Sequence, residues 1–167
     1  MSDRLLNVPV QGRDSDERYT PRWVFDGLGL IFDLDPASPV EGGDCVPARR
    51  KLTRLDDGLA HDWHGLVWLN PPFSQSTAWA DKFRAHGNGV FLGPVANGRW
   101  WCHLVRTADV TWHCRDFAFT HPLHAGKRSS MPLAMIAMGS VAAAAVTRLA
   151  TSGVHDGVLM RPIGAAS

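Results

Sequence analysis

Cysteine is scarce in this chain. Cys45, Cys102 and Cys114 are the only three in 167 residues. They are odd in number, widely spaced and form no C-x-x-C pair, which argues against a disulfide framework or a cysteine zinc site. Free thiols fit a reducing cytosol. Charge of one sign is also lacking: 17 Lys and Arg face 16 Asp and Glu, for a formal net charge of +1. No strong basic field results, yet a local basic patch for nucleic acid remains compatible with that total. Long apolar runs are absent. Met1–Arg18 is polar and has no signal-peptide core, and Val141–Val146 is far too short to span a bilayer, so a cytoplasmic protein is expected. There is no Gly-x-Gly-x-x-Gly turn and no phosphate loop ending in Lys-Ser or Lys-Thr, which argues against a dinucleotide cofactor and against a nucleotide-triphosphate site.

What is present suits one domain with a real core. We read Met1–Arg18 as a loose polar arm and residues 19–167 as a single domain. Seven tryptophans stand against one tyrosine. Packing accounts for most of them, and base stacking is the other use of such rings.

Elements follow from periodicity and punctuation. Thr20-Pro21 reads as a helix start, with Thr20 as cap and Pro21 at the first helical position, leading through Trp23, Val24, Phe25 and Leu28 to Gly29. Ile31–Asp35 alternates apolar and acidic residues, a short strand with both carboxylates on one side and its end at Asp35, before Pro36. Ala37–Leu55 reads as a long loop with little regular structure. Asp57-Gly58-Leu59 is a turn, and Leu66–Leu69 a buried strand. Ser76 is a cap candidate for a helix to His86 closed by Gly87. Gly89–Val95, Val110–Cys114 and Pro132–Met138 read as strands, with Val154–Met160 as a last one. Asn97 and Ser140 are cap candidates for helices through Trp101 and Leu104, and through Ala150. His121–Ser130 is a polar, basic loop. This alternation predicts a three-layer α/β domain.

Leu66-Val67-Trp68-Leu69 stops at Asn70-Pro71-Pro72-Phe73. Proline has no N–H and a fixed φ, so the ladder cannot run through the pair. A stiff loop then stands at the carboxyl end of a strand, where open α/β sheets bind ligands. Asn70 and the Pro71 carbonyl offer acceptors for the two N–H bonds of an aromatic amine, and Phe73 offers a face for a planar base. A plain strand-ending turn with Phe73 in the core is the other reading of this tetrapeptide alone. Asp35, at a strand end, suits a ligand's hydroxyls or ammonium, with a strand-end turn as the bland alternative. His61-x-x-His64 and His121-x-x-His124 lack the His-Glu-x-x-His pattern and a completing thiol pair, so no metal is expected.

Tyr19-Thr20-Pro21-x-Trp23, Phe32-Asp33-Leu34-Asp35-Pro36-Ala37, Asp57-Gly58-Leu59-x-x-Asp62-Trp63 and Trp68-Leu69-Asn70-Pro71-Pro72-Phe73 occur in that order. Together they resemble the phage-type, Dam-like family of adenine-specific DNA methyltransferases, over about Tyr19 to Phe119. The resemblance implies a trimmed Rossmann-like fold, S-adenosylmethionine as cofactor, DNA as partner and no membrane. It implies that Asn70, Pro71, Pro72 and Phe73 hold the target adenine. Tyr19, Thr20 and Pro21 match the segment against the methionine part of the cofactor. Asp33, Asp35 and Ala37 match the cofactor end of the first strand, and Asp57 and Leu59 the adenosine segment. Arg99, Trp100, Arg115, Lys127 and Arg128 are the candidate DNA contacts. A strand-end salt bridge is the alternative for Arg115, and a solvated basic loop for Lys127 and Arg128. Phe73 stands where the family often has Tyr, which keeps stacking and forgoes a phenolic hydrogen bond. Few residues separate Asp35 from Asn70, and no separate target-recognition domain is evident. Rival readings are methyl transfer to RNA or to a protein amide nitrogen, and an inactive DNA-binding relative. A metal-dependent nuclease would need a carboxylate cluster that the sequence does not offer.

Overall fold

The computed structural model describes residues 18–42, 44–120 and 131–162. Among them the strands are β1 (Phe32–Ser38), β2 (Ala48–Thr53), β3 (Val67–Leu69), β4 (Gly89–Pro94), β5 (Val110–Cys114), β6 (Leu133–Met138) and β7 (Gly157–Met160). The helices are α1 (Arg22–Leu28), α2 (Ser76–His86), α3 (Arg99–Thr107) and α4 (Ser140–Thr151). The strands form one mixed sheet in the order β2-β1-β3-β4-β6-β5-β7. β2, β1, β3 and β4 are parallel, whereas β6 runs against both β4 and β5, and β7 against β5.

Apolar side chains alternate between two cores, as a strand covered on both faces requires. Val90, Leu92, Met135 and Ala137 join Trp68 and Trp112 beneath Val24, Phe25 and Leu28 of α1 and Ala142, Val146 and Leu149 of α4. Phe91, Ala134, Ile136 and Met138 point the other way, to Trp79 and Phe83 of α2 and Leu104 of α3. The expected three-layer α/β architecture is therefore present, and it is consistent with a Rossmann-like methyltransferase fold. Trp68 is fully buried and meets Phe25 edge to face with ring centroids 4.8 Å apart. That ring anchors the strand from which Asn70 emerges.

Four expectations are corrected. Residues 37–55 are not an unstructured loop, because they contain β2. Its Arg49, Arg50 and Lys51 are exposed on the outermost strand; charge there blocks edge-to-edge pairing and also erases the apolar alternation that marks a strand. β1 does not end at Asp35. It passes Pro36 through a register shift in which Asp35 pairs with Lys51 and Ser38 with Thr53, so the extra residue absorbs the missing N–H. The helix starts differ as well. Pro21 itself flanks α1, and neither Thr20 nor Asn97 caps a helix with its side chain; Ser76 and Ser140 are the first helical residues rather than caps. The last strand begins at Gly157, after His155 has turned onto Trp23 with ring centroids 4.8 Å apart. The loop expected at His121–Ser130 lies outside the described residues.

Candidate active site

β1, β3, β4 and β5 all end at the same edge of the sheet, as their mutual directions require. The chain leaves β1 to build β2 on one side and returns to build β3 on the other. The switch point of the topology therefore lies between the carboxyl ends of β1 and β3. Asn70 follows the end of β3 directly, and Asp35 lies three residues before the end of β1.

Asn70 is held by one half of its amide. Its Nδ2 donates to the Arg18 carbonyl at 2.7 Å and more weakly to Thr20 Oγ1 at 3.4 Å. The Arg18 carbonyl accepts only, so the amide cannot be turned over without setting oxygen against oxygen. Among the described residues, Oδ1 is left buried with no partner. A buried carbonyl without a donor costs about 1–3 kcal/mol, and an incoming N–H relieves that cost. Pro71 is buried behind it, and Pro72 leads into a single 3-10 turn, Phe73–Gln75. Gln75 N–H donates to the Pro72 carbonyl at 3.0 Å, and Ser76 Oγ donates to the Phe73 carbonyl at 2.8 Å. These bonds, together with the missing proline donors, stiffen the loop.

Phe73 is half-buried. Phe119 meets it nearly edge-on, with centroids 6.1 Å apart. The Arg18 guanidinium lies over its face, 4.7 Å from the centroid, and 5.6 Å from the Phe119 centroid. Tyr19 fixes this corner through the backbone. Its N–H donates to the Thr120 carbonyl at 3.2 Å, and Thr120 N–H returns a bond to the Tyr19 carbonyl at 2.8 Å. The segment 18–20 thus bridges the end of β3 and residues 119–120.

The other half of the edge is acidic. Asp35 is 2 % exposed. Burial pushes its carboxyl up to about 7, while the Ala37 N–H, donating to Oδ1 at 3.1 Å, pulls the other way and the Asp44 carboxylate raises it further. Asp44 is itself committed. It accepts from Ser38 Oγ and from Val46 N–H, each at 3.0 Å, and pairs with Lys51. Asp33 lies two residues earlier on β1, and its carboxylate is engaged by the Leu66 N–H at 2.8 Å and by Arg49 at 3.4 Å. The two carboxylates therefore differ in setting: Asp33 ties β1 to the entry of β3, and Asp35 alone is buried near the strand end.

The Asp57–Leu59 turn packs directly on that strand end. A Cβ on Gly58 would sit 2.0 Å from the Pro36 carbonyl oxygen, so only glycine permits this approach. Asp57 is exposed with φ 53°, and its carbonyl accepts from Ala60 N–H at 2.9 Å. Trp63 Nε1 donates to the Gly58 carbonyl at 2.8 Å, and Lys82 Nζ to the Leu59 carbonyl at 2.6 Å. Thr20 and Pro21 are buried beside Asn70, with the Thr20 carbonyl accepting from the Cys45 thiol at 3.3 Å.

Arg99 is exposed and Trp100 half-buried at the start of α3, just beyond the end of β4. Trp101 is the core member of that pair, 8 % exposed. Arg115, beyond the end of β5, lies 3.4 Å from the Asp156 carboxylate on an exposed surface. Lys127 and Arg128 lie outside the described residues. Sequence reasoning missed Arg18 and Lys82 as parts of this edge, and it read Gly58 only as the middle of the Asp57–Leu59 turn. The positive residue closing the polar arm was the available signal for Arg18, but its contact with Asn70 spans 52 positions and no local pattern announces it.

No curated protein matches the chain. The family model described as DNA N-6-adenine-methyltransferase (Dam) matches residues 7–121, a stretch that contains Arg18 to Thr20, Asp35, the Asp57 turn, Asn70 to Phe73 and Phe119. With more than half of its length matched, this chain belongs to the DNA N-6-adenine-methyltransferase (Dam) family.

Proposed function

We propose that the protein methylates the exocyclic amino group of adenine at specific sites in DNA, with S-adenosylmethionine as methyl donor. The observation that carries this reading is the buried, unpartnered Oδ1 of Asn70, fixed in orientation by the Arg18 carbonyl. Adenine's amino nitrogen is a poor nucleophile because its lone pair is delocalised into the ring. Asn70 Oδ1 accepts one of its N–H bonds and the Pro71 carbonyl the other. That pair of bonds favours a tetrahedral nitrogen with its lone pair free to attack. Phe73 receives the base on its face once it leaves the duplex. Thr20 acts through Asn70 as a positioning residue.

The donor side fits the cofactor. Asp35 is a buried carboxyl near the end of β1, and burial that the nearby Lys51 charge only partly offsets is what a cationic or hydroxyl-bearing ligand would relieve. Asp35, with Ala37, Tyr19 and Pro21, would hold the amino-acid and ribose parts, and Asp57 and Leu59 the adenosine. Asp33 supports this group from its bond to Leu66. S-adenosylmethionine, when bound, supplies an electrophilic methyl group on a sulfonium. Catalysis by the protein is then orientation: the edge holds the amine and the methyl group in line and keeps water out. Arg99, Trp100, Arg115, Lys127 and Arg128 contact the duplex, Arg115 by exchanging Asp156 for a phosphate. Among the described residues no helix is long and apolar enough to cross a membrane. We place the enzyme in the cytoplasm, that of a bacterial host if a phage or prophage encodes it.

The test is transfer of labelled methyl groups to plasmid DNA, to adenine-free DNA, to RNA and to protein, followed by mapping of modified bases. Label on adenine in plasmid DNA at a recurring sequence is expected. Label on RNA or protein alone, or DNA binding without calorimetric binding of cofactor, would overturn the proposal.

A further inference from the structure

Arg18 occupies the place that the proposed reaction reserves for a base. Its guanidinium sits 4.7 Å from the Phe73 centroid. A planar base between two planar groups needs about 7 Å, twice the contact distance of stacked atoms. Arg18 and a target adenine therefore cannot share that face without movement of the guanidinium. Its setting favours departure. Nε is buried with no hydrogen-bond partner, and Arg18 makes no ion pair among the described residues. The guanidinium lies against two aromatic rings and, among the described residues, against no anion. A phosphate oxygen pair satisfies its planar fork with two charge-assisted bonds, a stronger arrangement than stacking on a ring. The backbone of the same residue stays in place, because its carbonyl holds Asn70.

We infer that Arg18 is a DNA phosphate ligand which, without DNA, is stored on the stacking face of Phe73, so that binding the backbone and vacating the base site are one event. This rests on the proposed action on DNA. It adds a contact that none of the candidate DNA residues supplies, and it gives the DNA-free protein a filled rather than a wet base site. The side chain moves; the residue's main chain remains the fixed support of the acceptor amide.

The experiment measures binding of a random-sequence duplex by fluorescence anisotropy across a salt series, for the wild type, Arg18→Met, Arg18→Lys and Phe73→Leu. Methyl transfer to plasmid DNA is followed in parallel. Arg18→Met should weaken duplex binding roughly tenfold at low salt and lower the slope of log K against log salt by about 0.9 in magnitude, the share of one phosphate. Its loss in turnover should fall on KM for DNA rather than on kcat. Arg18→Lys keeps the cation and should keep most of the slope. Phe73→Leu removes the ring that stores the guanidinium and should also keep it. An unchanged slope and KM in Arg18→Met would overturn the inference and leave Arg18 as packing. A fall in kcat with slope and KM held would also overturn it, because Arg18 would then be a wall of the base pocket. Anisotropy needs no turnover. A wild type that binds duplex but transfers no methyl group would remove the proposed activity, and the slope would still decide the role of Arg18.

Discussion

The ends of β1 and β3 are neighbours in one sheet and are built on opposite principles. At the end of β3, Asn70 is neutral and held in one orientation, with a single acceptor left open. Near the end of β1, Asp35 is ionisable and buried, and the nearby Asp44 opposes its charge more than Lys51 favours it. An oriented dipole suits a neutral amine whose charge changes during reaction, because it costs no reorganisation at that moment. A buried carboxyl suits a ligand that arrives with its own positive charge or hydroxyls. In the proposed reading the difference separates an acceptor half from a donor half, and each half can be damaged alone.

The largest expected effect concerns Asp35. Its carboxyl is raised from the ordinary value near 3.9 to about 7, so the folded protein holds the proton more tightly than the unfolded chain. The stability linked to that proton is full below about pH 4, and it is lost as pH rises toward and through 7. The difference amounts to about 4 kcal/mol across that window. Urea unfolding at pH 5 and pH 8 should show the wild type losing stability relative to Asp35→Asn. Equal pH dependence in the two proteins would remove the contrast between the strand ends. Cofactor binding that draws on the carboxylate should release a proton near neutral pH, measurable by calorimetry in buffers of different ionisation enthalpy.

Gly58→Ala comes next. Its Cβ would meet the Pro36 carbonyl and push the turn from the end of β1, at a cost of about 1–3 kcal/mol as overpacking. KM for the cofactor should rise about tenfold, which is about 1.4 kcal/mol, with less change in KM for DNA. A loss confined to DNA would assign this turn to the other half. Thr20→Val should do least. It removes the weaker of the two Asn70 supports, worth about 0.5–1 kcal/mol, and should lower kcat about two- to fivefold without altering cofactor affinity. A loss of cofactor affinity instead would return Thr20 to the donor half.

The sequence displayed the Asn70–Phe73 loop because proline acts locally. Two residues without an N–H end a strand wherever they fall, so Asn70 could be placed before any contact was known. The paired cores were readable for the same reason: continuous apolar runs such as Leu133–Met138 leave few alternatives to a doubly covered strand. β2 was hidden because an edge strand is protected by the very charges that obscure it. The passage of β1 beyond Pro36 was hidden because a bulge depends on the partner strand rather than on the proline. Thr20 had the composition of a helix cap, yet its hydroxyl faces Asn70, fifty positions away. Arg18 was invisible for the same physical reason, since long-range packing overrides local preference wherever a polar side chain has two possible partners.

The central claim is that Asn70 offers one oriented acceptor to the amine and leaves the donor half alone. Asn70→Ala tests it most directly, by labelled methyl transfer to plasmid DNA alongside calorimetric binding of S-adenosylmethionine. The account predicts a fall in kcat of about 10²–10³-fold or more with cofactor affinity little changed. Normal turnover in that variant, or loss of cofactor binding in step with turnover, would contradict it.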